Sequence, residues 1–130
     1  MRRVIVSVAV GLGLLGAGCG SGVDITGRWA GHTVDNAGGV GTLSWNVTQS
    51  GDTFAGTMRL ADSFDGTVTG TISGNRITYA MAVTVAPCTL SATGTGTASD
   101  TEIKGDYTAA TNRGCPLGTV SAGQMRLTRP

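Results

Sequence analysis

The chain has 130 residues, a formal net charge of +1, 13% charged and 5% aromatic residues, and 22 glycines. That length suits one domain and no more. The absence of a basic stripe argues against a nucleic-acid partner, and frequent Thr and Gly with few helix formers argue against a helical fold.

The chain starts with a short positive region, Met1-Arg2-Arg3. An uncharged apolar run follows from Val4 to Leu15, and Gly16-Ala17-Gly18 leads into Cys19. This is the layout of a secretory signal. The run is shorter than the ~20 residues of a membrane-spanning helix. The ending LLGAGC resembles the lipobox of bacterial lipoproteins, with Gly16 where that family usually has Leu. The resemblance implies that residues 1–18 are removed and that Cys19 is acylated, by palmitate or a similar chain. The exported protein would then be anchored to the bacterial cell membrane or outer membrane. On the residues alone, an ordinary cleaved signal that happens to end near a Cys is the alternative. Residues 19–23 read as the lipidated Cys and a flexible Gly-Ser tether, and residues 24–130 as the folded domain. Without Arg2 and Arg3, seven basic residues face eight acidic ones, a mature net charge of −1.

If Cys19 carries lipid, Cys88 and Cys115 remain. An even remainder in an exported chain reads as one disulfide. The closed loop of about 28 residues would contribute about 3.5 kcal/mol in the chain-entropy view. A metal or catalytic thiol is the rival reading. A thiolate metal site wants more ligands than two Cys and the distant His32, so no metal and no cofactor is assigned.

From Ile25 onward the pattern has period two. The first predicted strand, Ile25 to Thr33, sets Ile25, Gly27, Trp29 and Gly31 on one face and Thr26, Arg28, Ala30 and His32 on the other. The second, Thr42 to Gln49, alternates Leu43, Trp45 and Val47 with Thr, Ser and Asn. The third carries Phe54, Gly56, Met58 and Leu60 inward, and residues 61–65 read as a loop. Val68, Gly70 and Ile72 mark the fourth strand, and Ile77, Tyr79, Met81 and Val83 the fifth. After the break at Ala86-Pro87, the sixth runs from Cys88 to Ala98 with Leu90, Ala92, Gly94 and Gly96 in phase. The seventh brings Ile103, Gly105 and Tyr107. A loop over 109–118 leads to Gly123, Met125 and Leu127 of the eighth. Short polar turns recur at Gln49–Phe54, Ile72–Ile77 and Ala98–Ile103.

Eight amphipathic strands without a helical period predict an all-β fold, an eight-stranded antiparallel up-and-down β-barrel; a two-sheet β-sandwich is the alternative. Closure hides the apolar face and removes sheet edges. The tight turns at Gly51, Gly74 and Asp100 then share one end. Residues 34–41, 61–66, 84–87 and 109–117 share the other. A lipid on Cys19 would hold the tight-turn end near the membrane. The Ile25-Thr-Gly-Arg-Trp29 stretch resembles the first strand of avidin-like and lipocalin-like (calycin) barrels, which share a Gly-x-Trp there. The resemblance implies that Trp29 plugs the bottom of the barrel, and it carries over no ligand residue.

Trp29, Trp45, Phe54, Tyr79 and Tyr107 are the candidate ligand-binding residues. They either fill the interior or line a calyx for a small apolar ligand. His32 points outward with no close acid or nucleophile, and Ser50, Ser63, Ser73 and Ser99 sit in turns, so no residue is assigned to catalysis. Asp62 and Asp65 read as solvated loop carboxylates. Two functions follow. One is a non-enzymatic, membrane-anchored lipoprotein whose long loops, with Phe64, Asn112, Arg113 and Leu117, contact a protein partner. The other is a calycin-type binder of a small apolar ligand at the long-loop mouth.

Overall fold

The structure, a computed structural model, describes residues 23–36, 38–85, 88–111 and 122–130. The strands are β1 (Gly27–Asp35), β2 (Val40–Ser50), β3 (Thr53–Leu60), β4 (Phe64–Ser73), β5 (Arg76–Val85), β6 (Cys88–Ala98), β7 (Glu102–Thr111) and β8 (Ala122–Thr128). Each pairs antiparallel with the next, and β8 returns to β1 to close the barrel. Closure is made by pairs such as Gly31 with Leu127 and Thr33 with Met125. The fold is the expected all-β, eight-stranded up-and-down barrel and not a sandwich.

The alternation read from the sequence is the alternation observed. Leu43, Trp45 and Val47 are buried, while Asn46 and Thr48 are exposed. The outward face is rich in threonine, which is at ease on an extended, half-wet surface. The buried residues form one apolar core inside the barrel, with no buried charged residue among those described.

The strands reach further into the connections at the loop end than expected: β1 runs to Asp35, β2 starts at Val40, β5 runs to Val85 and β7 to Thr111. The loop expected at 61–65 is only a turn, because Phe64 and Asp65 already belong to β4, paired with Leu60 and Arg59. Ala61 and Asp62 have φ of 55° and 57°, and the Ser63 N–H donates to the Leu60 carbonyl at 3.1 Å. Two consecutive left-handed residues give a turn whose twist matches a hairpin, a role usually taken by Asn-Gly or Asp-Gly. Ala-Asp lacks that signature. An ion pair between Arg59 and Asp65, 2.9 Å, straps the base of the hairpin.

Candidate functional site

Three inward aromatics form a packed layer across the barrel. The Trp45 and Tyr79 ring centroids lie 5.5 Å apart, edge to face, and those of Trp45 and Phe54 6.1 Å apart. Inward glycines make the space for these rings. A β-carbon on Gly94 would lie 2.5 Å from the Tyr79 hydroxyl oxygen, and one on Gly70 would lie 2.3 Å from Phe54 Cζ. The glycines therefore seat the rings and do not leave empty volume at this level. The Tyr79 hydroxyl donates to the Asp106 carbonyl at 2.9 Å. Burial, reinforced by the charge of Asp106, pushes its pKa well above the ordinary tyrosine range.

Beyond this layer, toward the β1–β2 and β3–β4 connections, the barrel holds a cavity of about 270 Å³. Leu43, Met58, Leu60, Met81, Val83 and Leu90 form most of its wall, with Tyr107 on one side. Thr33, Asp35 and Val40 stand at its rim. Val40 is 67% exposed. The Asp35 carboxylate accepts the Gly39 N–H at 2.8 Å and holds the β1–β2 connection in shape. Burial raises the Tyr107 pKa, opposed by a hydrogen bond with Thr33. The volume lies between the ~150 Å³ of a cavity that takes benzene and the ~300–1,000 Å³ of drug-sized sites. It suits an apolar molecule of one or two rings.

Of the five aromatics expected at a ligand site, Tyr107 lines this cavity. Trp45, Phe54 and Tyr79 lie in the layer beneath it. Trp29 lies at the opposite, tight-turn end. Its Nε1–H donates to the Ile25 carbonyl at 2.8 Å, and Arg129 covers its ring. That is the bottom-plug position implied by the Gly-x-Trp resemblance. Cys88 is buried at the start of β6. Cys19, Cys115, Asn112, Arg113 and Leu117 lie outside the described residues, and so does the break at Ala86-Pro87. Phe64 is half-buried against the core. His32 is exposed on the outer wall, between Thr42 of β2 and Arg126 of β8. Asp62 is exposed in the turn, and Arg59 beside Asp65 holds that carboxyl below the usual range. Among the described residues no cluster of three or more His, Cys, Asp or Glu could hold a metal ion.

The sequence marks Met58, Met81, Val83 and Leu90 as inward residues but not as site residues. Their height in the barrel is not visible there, because it depends on strand tilt and stagger.

No family model and no curated protein matches the chain. Among solved structures it is similar to EF1p2_mFAP2b bound to DFHBI, with a TM-score of 0.64 and 18% identity over 82% of this chain and 94% of that one. It is also similar to the redesigned β-barrel mFAP1 bound to DFHBI, with a TM-score of 0.61 and 15% identity over 81% and 94%. A third is the redesigned β-barrel b11L5F_LGL, with a TM-score of 0.62 and 15% identity over 82% and 91%. At these identities the likeness establishes the barrel fold alone.

Proposed function

We propose that this chain is an exported lipoprotein, anchored through Cys19, whose barrel binds a small apolar ligand at the end facing away from the membrane. It is a binder and not a catalyst. The observation that carries this reading is the apolar cavity of about 270 Å³ above the aromatic layer. Two barrels of similar fold, solved with DFHBI bound, support it by analogy.

The geometry of the N-terminal segment suits the anchor. The Ile25 N–H donates to the Gln49 side chain at 2.9 Å, and that side chain donates to the Gly51 carbonyl at 3.0 Å. The chain thus enters the barrel at the tight-turn end. Cys19 lies four residues before Val23, a reach of at most ~14 Å. A lipid there would hold the plugged end at the bilayer and leave the mouth open to its surroundings. A second reading, display of the mouth to a protein partner, rests on Val34 and Val40, cross-strand partners that are 47% and 67% exposed.

Native mass spectrometry of the detergent-extracted full chain tests the binder. A retained small molecule is expected. A clean mass, with no midpoint shift from any small apolar probe, would overturn it. Cys19→Ser is expected to lose the acyl mass and leave the membrane fraction. A variant still membrane-bound at unchanged lipid mass would overturn the anchor.

A further inference from the structure

Trp45 is 1% exposed, and its indole N–H is buried without a hydrogen-bond partner. The other indole, on Trp29, donates to the Ile25 carbonyl at 2.8 Å. An unpaired buried donor is unfavourable, and each one in a native protein has a reason. The surroundings of Trp45 offer it little. Leu43 and Val47 flank it on β2, Phe54 packs on its ring, and its cross-strand partners are Trp29 on β1, whose indole can only donate, and Met58 on β3, which has only a weak sulfur acceptor. The Tyr79 hydroxyl is engaged with the Asp106 carbonyl.

Two of these neighbours, Leu43 and Met58, are also walls of the mouth cavity. Leu43 is two residues along the same inward face, and Met58 lies directly across from Trp45. Trp45 therefore adjoins two walls of the cavity without lining it, and Met58, its partner on β3, has an adaptable side chain. A single water would not resolve the problem. A buried water wants two to four polar partners, whereas the side chains packed on Trp45 are apolar or, for Tyr79, already engaged with the Asp106 carbonyl.

We infer that the ligand of this cavity is a neutral molecule of one or two rings bearing a hydrogen-bond acceptor, a carbonyl oxygen or a ring nitrogen, that pairs with the Trp45 Nε1–H. This rests on the binding reading above. An anionic acceptor is disfavoured, because an apolar cavity desolvates it without compensation and the Asp35 carboxylate stands at the rim. The apolar body of the ligand packs against Met81, Val83 and Leu90, and the acceptor points inward past Met58.

The test compares naphthalene with quinoline, which has nearly the same shape and adds one ring nitrogen. It uses the full chain at mildly alkaline pH, where quinoline is neutral. Quinoline is expected to move the Trp45 indole N–H resonance downfield, naphthalene is not, and the Trp29 indole serves as the internal reference. In Trp45→Phe, affinity for quinoline relative to naphthalene is expected to fall roughly fivefold. Equal movement of the resonance by both probes, or an unchanged affinity ratio in the variant, would overturn the acceptor inference and leave the cavity reading in place. If neither probe perturbs the Met58 or Leu90 methyl signals up to its solubility, the binding reading falls and the inference with it. The resonance measurement uses the unmodified protein, so it decides the matter even if Trp45→Phe fails to fold.

Discussion

The guanidinium carbon of Arg129 lies 4.3 Å from the ring centroid of Trp29. The same guanidinium donates to three carbonyls, those of Asp24 at 2.9 Å, Thr26 at 3.0 Å and Asp100 at 2.7 Å. One side chain near the end of the chain thus ties together the segment before β1, the β6–β7 turn and the tryptophan that plugs the barrel.

Removing this clamp is expected to weaken the closed end. Arg129→Ala loses a cation–π contact worth ~0.5–1 kcal/mol and three charge-assisted hydrogen bonds at a partly wet site. The expected cost is about 2 kcal/mol. Arg129→Lys is expected to recover less than half of it, because an ammonium lacks the planar fork that reaches three acceptors and stacks on the ring. Denaturant midpoints of the three proteins check this. A lysine variant as stable as the parent would mean that only the charge matters.

Tyr79 makes stability depend on alkaline pH. Its folded pKa is raised by burial, while in the unfolded chain it titrates near 10. A raised folded value means that its contribution is fully present below about pH 10 and is lost as pH rises beyond that, since only the unfolded chain then releases the proton. The expected slope is at most about 1.4 kcal/mol per pH unit from this residue. Tyr79→Phe is expected to flatten that slope, at the loss of the hydrogen bond to Asp106. Melts across the alkaline range decide it. Identical slopes in parent and variant would place the alkaline loss elsewhere.

The inward and outward faces were legible because Leu43-Trp45-Val47 and Ile77-Tyr79-Met81 alternate with Ser, Asn, Thr and Ala along each strand, and period two needs no knowledge of neighbours. What depends on neighbours was not legible. The sequence shows Gly94 and Gly105 pointing inward. That one Tyr79 ring covers both follows from the register of β5, β6 and β7. The cavity walls Met58, Met81 and Leu90 come from three strands, and strand stagger brings them to one height. The clamp by Arg129 lies beyond β8, where no alternation guides the eye. The Ala61-Asp62 turn was hidden because its left-handed pair is not the usual Asn-Gly.

Cys88 and Cys115 are expected to be linked. Non-reducing peptide mapping of exported protein should yield one joined peptide containing both. Free thiols at both positions would refute the pairing. Cys88 is 1% exposed at the head of β6, so its replacement is best made by Ala together with Cys115→Ala. The pair of changes is expected to lower stability by about 2–4 kcal/mol.

Trp45 is the sharpest test of the register. It is 1% exposed between Leu43 and Val47, while its neighbour Asn46 faces solvent. A slip of one residue would expose the indole and bury the amide, which is unfavourable on both counts. Truncating a buried aromatic to Ala typically costs ~3–5 kcal/mol, and a domain of this size has only ~5–15 kcal/mol of total stability. Trp45→Ala is therefore expected to weaken folding severely or abolish it, and Ser44→Ala on the other face to change stability by about 0.5 kcal/mol or less. Trp45→Phe separates volume from polarity. It keeps a ring against Phe54 and Tyr79 and removes the unpaired N–H, whose burial costs ~1–3 kcal/mol, so that gain offsets much of the lost indole packing. The expected order of denaturant midpoints is Ser44→Ala highest, Trp45→Phe close below and Trp45→Ala far below. Equal midpoints for Ser44→Ala and Trp45→Ala would contradict the inward placement of Trp45 and, with it, the register of β2 against β1 and β3.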